Sequence, residues 1–134
     1  MGIRWPAWLG GREAEAEEGA RPRPARMFPV EGFPALEALL STGSTTSVVL
    51  YLHDPWCPVS SRAIEEVERV DADVHVIDVS RQRELSRAIA EATGIRHESP
   101  QVIVLKDGRP TWHASHWRIR AGAVEGAMGR QDAL

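Results

Sequence analysis

The sequence predicts an α/β fold in which a central mixed sheet of about four to five strands is flanked by helices. Three observations carry this reading. Apolar runs of strand character at Ser47–Leu52, Val74–Val79 and Val102–Leu105 alternate with segments of helical spacing. The first run is apolar almost without interruption, as a strand covered on both faces requires. The third leads into Lys106-Asp107-Gly108-Arg109, a hairpin signal, after which Pro110 to Ala114 reads as an antiparallel return strand.

Taken in order, Met27 to Val30 is a short first strand. Phe33, Leu36, Leu39 and Leu40 recur at helical spacing and stop at Gly43. The strand at 47–52 follows, and then an amphipathic helix that begins after Cys57 and carries Ala63 to Val70. Val74, Val76, Ile77 and Val79 form the next strand. Leu85, Ala88, Ile89 and Ala92 form a helix that Gly94 ends. After the hairpin, Ile119, Val124 and Met128 mark a closing helix, weakened by Gly122, Gly126 and Gly129. Residues 1–26 read as a flexible N-terminal extension and 27–134 as the folded domain. The acidic Glu13–Gly19 and the basic, proline-punctuated Arg21–Arg26 offer too little apolar surface to offset ordering entropy, although Trp5, Trp8 and Leu9 could dock. No internal repeat is present.

At 134 residues, with 43% hydrophobic and 26% charged positions, the chain fits one domain able to bury a core without disulfides or metal. A net charge of -3 and a pI near 5.9 give no electrostatic reason to expect nucleic acid or a membrane surface as partner. No apolar stretch approaches the roughly 20 residues that span a bilayer. The start shows no secretory h-region, and Pro6 stands where a myristoylation signal wants Ser or Thr. One cysteine cannot build a disulfide framework, so a reducing cytoplasm is the expected compartment. A monomer is the expected state, although the sequence does not itself fix it.

The chemistry centres on that cysteine. Cys57 lies between a strand and a helix, in Asp54-Pro55-Trp56-Cys57-Pro58-Val59-Ser60. A thiol at a helix N-terminus meets free N–H groups and the positive end of the helix dipole, which favour the thiolate. Pro58 suits the first turn, where its missing N–H costs nothing. A Cys-x-x-Cys pair would place a second thiol at position 60, but Ser60 stands there. Thiol–disulfide exchange at Cys57 therefore needs an external resolving thiol, with the Ser60 hydroxyl in reach to hydrogen-bond the thiolate. The bland reading of a lone cysteine is a buried small hydrophobe. A second block, Glu98-Ser99-Pro100-Gln101, places a proline at the first residue of an apolar strand, where proline is tolerated. A third, Trp112-His113-Ala114-Ser115-His116-Trp117, gathers ring faces and polar donors at the hairpin's end. Trp112 could equally be core packing, and His75, within a strand, reads as structural. His113 and His116, with His53 and His97, could instead suggest a metal site, but structural zinc usually needs four N or S ligands and only one cysteine is present.

The element order resembles the thioredoxin fold, with Cys57 at the end of the central strand; another small α/β layer fold is the alternative. In thioredoxin-like proteins the position of Pro100 carries a cis-proline, and the residue before it, here Ser99, faces the active cysteine. Cys57-Pro58-Val59-Ser60, Arg96-His97-Glu98-Ser99-Pro100-Gln101 and Trp112-His113-Ala114-Ser115-His116-Trp117 together resemble the monothiol bacilliredoxins over residues 28–130. Val59 stands where many relatives carry Ile. The resemblance implies a de-bacillithiolase with Cys57 and Ser60 as catalytic residues. It implies a substrate surface of Trp56, Pro58, Val59, Ser99, Pro100, Ser115, His116 and Trp117. Bacillithiol, a cysteinyl-glucosamine-malate thiol, would be co-substrate, with no bound cofactor and no metal. S-bacillithiolated proteins would be the partners, with another redoxin as a possible regenerator; Arg62 or a protonated His116 would suit the malate carboxylates. The residues alone leave glutathione and coenzyme A open as the small thiol. They also leave open an iron–sulfur cluster carrier of the monothiol-glutaredoxin type and a non-catalytic interaction module.

Overall fold

The computed structural model describes residues 24–41 and 46–132, the last three by their backbone alone. Residues 1–23 of the expected extension, and Gly43, lie outside the described residues. The chain runs β1 (Arg26–Pro29), α1 (Phe33–Leu40), β2 (Ser47–His53), α2 (Pro58–Val67), β3 (Asp73–Asp78), α3 (Arg83–Thr93), β4 (Gln101–Lys106), β5 (Arg109–Ser115), a short 3-10 turn at His116–Arg118, and α4 (Ala121–Asp132). Every element anticipated from the apolar pattern is present. The folded part begins slightly earlier than expected: Ala25 is buried in the core, and Arg26 pairs with Asp73 within β1 and β3. The Arg26 guanidinium holds that start by bonding Asp73 at 2.6 Å and Asp71 at 3.2 Å.

The five strands form one sheet in the order β1-β3-β2-β4-β5. β1, β3 and β2 are parallel, whereas β4 is antiparallel to β2, and β5 to β4. Successive side chains of β2 alternate between the two faces. Val49 and Tyr51 join Ala63 and Val67 of α2 and Val124 of α4 in one cluster. Leu50 and Leu52 join Leu36 of α1 and Leu85 and Ile89 of α3 in the other. Helices on both sides explain why β2 is apolar at nearly every position. Trp112 is partly buried against the first cluster. His75 stacks on Phe28 with ring centroids 5.7 Å apart.

Turn chemistry closes the fold where the sequence marks it. Asp107 and Gly108 both take left-handed backbone (φ 56 and 76), as a two-residue hairpin turn demands. Gly108 is required twice over, because a Cβ there would come within 2.5 Å of the Leu40 carbonyl oxygen. Gly94 ends α3 with φ 74. On the other side, Glu66 fastens α2 to α4: its Oε1 accepts the Ala121 N–H at 2.8 Å and its Oε2 meets Arg69 at 3.2 Å.

Glu68, at the C-cap of α2, is buried, and its Oε2 has no hydrogen-bond partner among the described residues. Burial first, and the neighbouring Glu65 charge second, push its carboxyl up to about 7. The folded state thus holds its proton more tightly than the unfolded chain does. The resulting stability is complete below pH 4.5 and is lost as pH rises through about 7. Glu68→Gln should flatten that pH dependence and raise stability at pH 8 by about 1–3 kcal/mol, read from urea midpoints across pH 4 to 8. Ile103→Ala, at a fully buried position of β4, should cost about 2–5 kcal/mol in the same assay. The exposed Glu91→Ala should stay within about 0.5 kcal/mol.

Candidate functional site

Three segments leave the same end of the sheet side by side, and the strand register sets their spacing. Leu52, near the end of β2, pairs with Gln101, the first residue of β4, and Gln101 pairs with Ser115, the last of β5. The Asp54–Cys57 turn, the Ser99-Pro100 entry to β4 and the His116–Trp117 turn are therefore neighbours. This is also the carboxyl end of parallel β2 and β3, where open α/β sheets bind their ligands.

Cys57 is the N-cap of α2 and is half-buried. Its backbone is extended (φ -104, ψ 123), and Pro58 occupies the first helical position. The turn before it closes on itself: the Cys57 N–H donates to the Asp54 carbonyl at 3.1 Å, and the Trp56 N–H to Asp54 Oδ1 at 3.0 Å. The Asp54 carboxylate is thus engaged by its own turn. Ser60 is fully buried, and its Oγ accepts the Asp54 N–H at 3.2 Å. Among the described residues no hydrogen bond joins that hydroxyl to the sulfur. Buried and bonded to the Asp54 amide, the hydroxyl here braces the turn that carries Cys57.

Beneath this turn lies a pair that the sequence reading passed over. The Tyr51 hydroxyl shares a 2.9 Å hydrogen bond with His53 Nδ1 and donates to the Ser60 carbonyl at 3.3 Å. Burial pushes the Tyr51 hydroxyl far up, keeping it protonated, and burial lowers the pKa of His53, keeping the ring neutral. Tyr51 is hidden within an apolar run; only its i, i+2 spacing from His53, on one face of a strand, signals the pair.

Ser99-Pro100 is a cis peptide, and Pro100 is buried with Ser99 half-buried. The Pro100 carbonyl accepts the His116 N–H at 3.0 Å, joining the second predicted block to the third. His116 itself adopts φ 56, an uncommon conformation for a non-glycine residue and one that clusters at functional sites. Its Nδ1 faces Glu98 Oε1 at 3.5 Å. Trp56 and Trp117 stand out from the surface, 83% and 64% exposed, and Arg62 of α2 lies over the Trp117 ring at 5.5 Å. Pro58 is exposed, while Val59 and Ser115 are half-buried. All ten residues singled out from the sequence lie at this end of the molecule. Gln101, buried beneath them, was not anticipated as part of the site. Among the described residues, no group of three or more His, Cys, Asp or Glu is arranged to hold a metal, and no helix is long and apolar enough to cross a membrane.

Solved structures share this architecture. A protein with a thioredoxin fold superposes with a TM-score of 0.69 at 24% identity, covering 75% of this chain and 92% of that one. Thioredoxin NaTrxh from Nicotiana alata gives 0.64 at 15% identity, covering 84% and 98%. A mutant thioredoxin from Halobacterium salinarum gives 0.61 at 21%, covering 81% and 92%. At these identities the likeness establishes the thioredoxin fold. The family model described as monothiol bacilliredoxin BrxC matches residues 30–124, a span that holds the Cys57 turn, the Ser99-Pro100 entry and the His116–Trp117 turn. A thioredoxin fold with one cysteine at the mouth of its central strand, matched over most of its length by that model, belongs to the monothiol bacilliredoxin family of thioredoxin-like redox proteins.

Proposed function

We propose that the protein removes bacillithiol from S-bacillithiolated client proteins through a Cys57–bacillithiol mixed disulfide. The observation that supports this most is a half-exposed cysteine at the N-cap of α2 with Ser60, not a second thiol, one turn on. The Cys57 thiolate attacks the bacillithiol sulfur of the client's mixed disulfide. A Cys57–S–S–bacillithiol bond forms as the client S–S bond breaks, and the client sulfur leaves as a thiolate that takes up a proton. A second bacillithiol thiolate then attacks the adduct, freeing Cys57 and releasing oxidised bacillithiol. A partner redoxin would serve the same step. No bound cofactor takes part, since both electrons come from thiols, and the cytoplasm is the compartment that keeps such thiols reduced.

The surroundings suit this role. The positive end of the α2 dipole favours the sulfur anion as it attacks and leaves, while Pro58 carries no N–H and the Ser60 and Ser61 amides bond the Cys57 carbonyl. Trp56, Pro58 and Val59 on one side, and Ser99, Pro100, Ser115, His116 and Trp117 on the other, would hold the incoming chain across the thiol. Exposed Trp56 and Trp117 offer apolar contact to a client surface at low entropic cost.

Intact-mass spectrometry tests this directly. Exposed to oxidised bacillithiol, the wild-type chain should gain one bacillithiol rapidly and gain little from oxidised glutathione. Cys57→Ser should gain neither and should leave a bacillithiolated client untouched; any residual exchange by that variant rules the mechanism out. Ser60→Cys should supply the missing internal thiol, so that its adduct decays to an intramolecular disulfide with loss of bacillithiol mass. A stable adduct in Ser60→Cys would mean that position 60 does not face the sulfur.

A further inference from the structure

On the α1/α3 side of β4 and β5 the structure contains a groove of about 490 Å³, lined by the segment before β4, the start of β4, the end of β5 and the turn after it. Arg96 and Glu98 come from the segment between α3 and β4, and His113, Ser115, His116, Trp117 and Arg118 from β5 and the turn after it. We propose that this groove is the subsite for the dicarboxylate end of the small thiol, with Arg96 and Arg118 as its counter-ions. The inference rests on the bacillithiol reading above and deepens it.

The groove is held open by a buried side chain whose polar atoms are all used. Gln101 Nε2 donates to the Arg96 carbonyl at 3.1 Å and to Ser115 Oγ at 3.4 Å, while its Oε1 accepts the Glu98 N–H at 3.4 Å. One amide thus ties the Arg96–Glu98 loop to the end of β5. Both arginines are exposed, and neither guanidinium has a carboxylate partner among the described residues. Glu98, the one carboxylate in the lining, faces His116 instead. Two unpaired guanidiniums present two forks, each able to take a carboxylate through paired hydrogen bonds. The volume lies within the range of small-molecule sites.

The chemistry of the ligand selects this location over the N-terminus of α2. In a cysteinyl-glucosamine-malate thiol, the cysteinyl and malate groups are separate branches of the sugar, so the carboxylates lie many bonds from the sulfur. At the start of α2 Pro58 has no N–H and the Ser60 and Ser61 amides bond the Cys57 carbonyl, so that turn has little to offer the malate, which binds farther off. Arg62 is less suited, because its guanidinium lies over the Trp117 ring. Trp117 borders both regions, so its ring face lies between the thiol and the arginines, where a sugar would pack.

The test uses the full chain, with Arg96→Gln and Arg118→Gln singly and together and the exposed Arg87→Gln, outside the groove lining, as control. Rates of Cys57 adduct formation are measured with oxidised bacillithiol and with uncharged 2-hydroxyethyl disulfide. The ratio of the two rates should fall at least about tenfold in the double variant and stay at its wild-type value in Arg87→Gln. An unchanged ratio in the double variant overturns the proposal. Glucosaminyl malate, which carries no sulfur, is titrated separately while backbone amide resonances are followed. It should shift His113 and Ser115 in the wild type and not in the double variant; no shift in the wild type also overturns the proposal. A wild type that fails to prefer bacillithiol over glutathione disulfide, yet shows those shifts, would sink the functional reading and leave the anion subsite standing.

Discussion

The site depends on the two-sided pairing of β2. This strand is hydrogen-bonded on one edge to parallel β3 and on the other to antiparallel β4, and both its faces are covered by helices. A strand confined in four directions has no freedom to slip, because a one-residue shift would exchange Val49 and Tyr51 with Leu50 and Leu52 between two differently shaped cores. Its end is therefore fixed, and the Cys57 turn hangs from that end. The same pairing of Leu52 with Gln101 puts the Ser99-Pro100 entry beside the turn without any contact of their own being needed.

Around Cys57 the polar groups serve the backbone first. Asp54 offers its carbonyl, its carboxylate and its N–H to three neighbours within the turn, and Ser60 takes the last of these. The buried Tyr51–His53 pair supports the Ser60 carbonyl from below. In a protein with one thiol such bracing has a clear use. In the proposed exchange the cysteine presents its sulfur to disulfides of client and small thiol, and the geometry of attack is set by how firmly the turn is held, since no second cysteine can capture a misplaced adduct.

Membership in the monothiol bacilliredoxin family agrees with this economy of parts. The surface near Cys57 divides into an aromatic portion, with Trp56 and Trp117 projecting, and a polar groove bordered by arginines and histidines. Protein and small thiol are both substrates of the proposed exchange, and they differ in just this way: one presents apolar chain and the other carboxylates and hydroxyls. Trp117, with Arg62 over its ring, stands where the two portions meet.

Much of this was legible from residue order, because local rules act locally. Alternation in the chain, the Asp107-Gly108 turn, the Gly94 helix stop and the proline after Cys57 each reflect backbone preferences that hold wherever such residues occur. These determined the order of elements and placed a lone thiol at a helix start, with Ser60 denying it an internal partner. The fold decided what depends on side chains distant in sequence. Glu68 is one of several glutamates in the amphipathic Ala63–Val70 segment, and only packing makes it a buried carboxyl with an unpartnered oxygen. Tyr51 reads as core until the fold sets its hydroxyl under the Ser60 carbonyl. Ser60 reads as a partner for the sulfur until burial turns its oxygen to the Asp54 amide. Gln101 follows the proline of the second block with no role of its own in the sequence, and register places it under the groove that it braces. In each case a hydrogen-bonding partner or its absence is set by strand register and helix packing, which no local stretch of sequence contains.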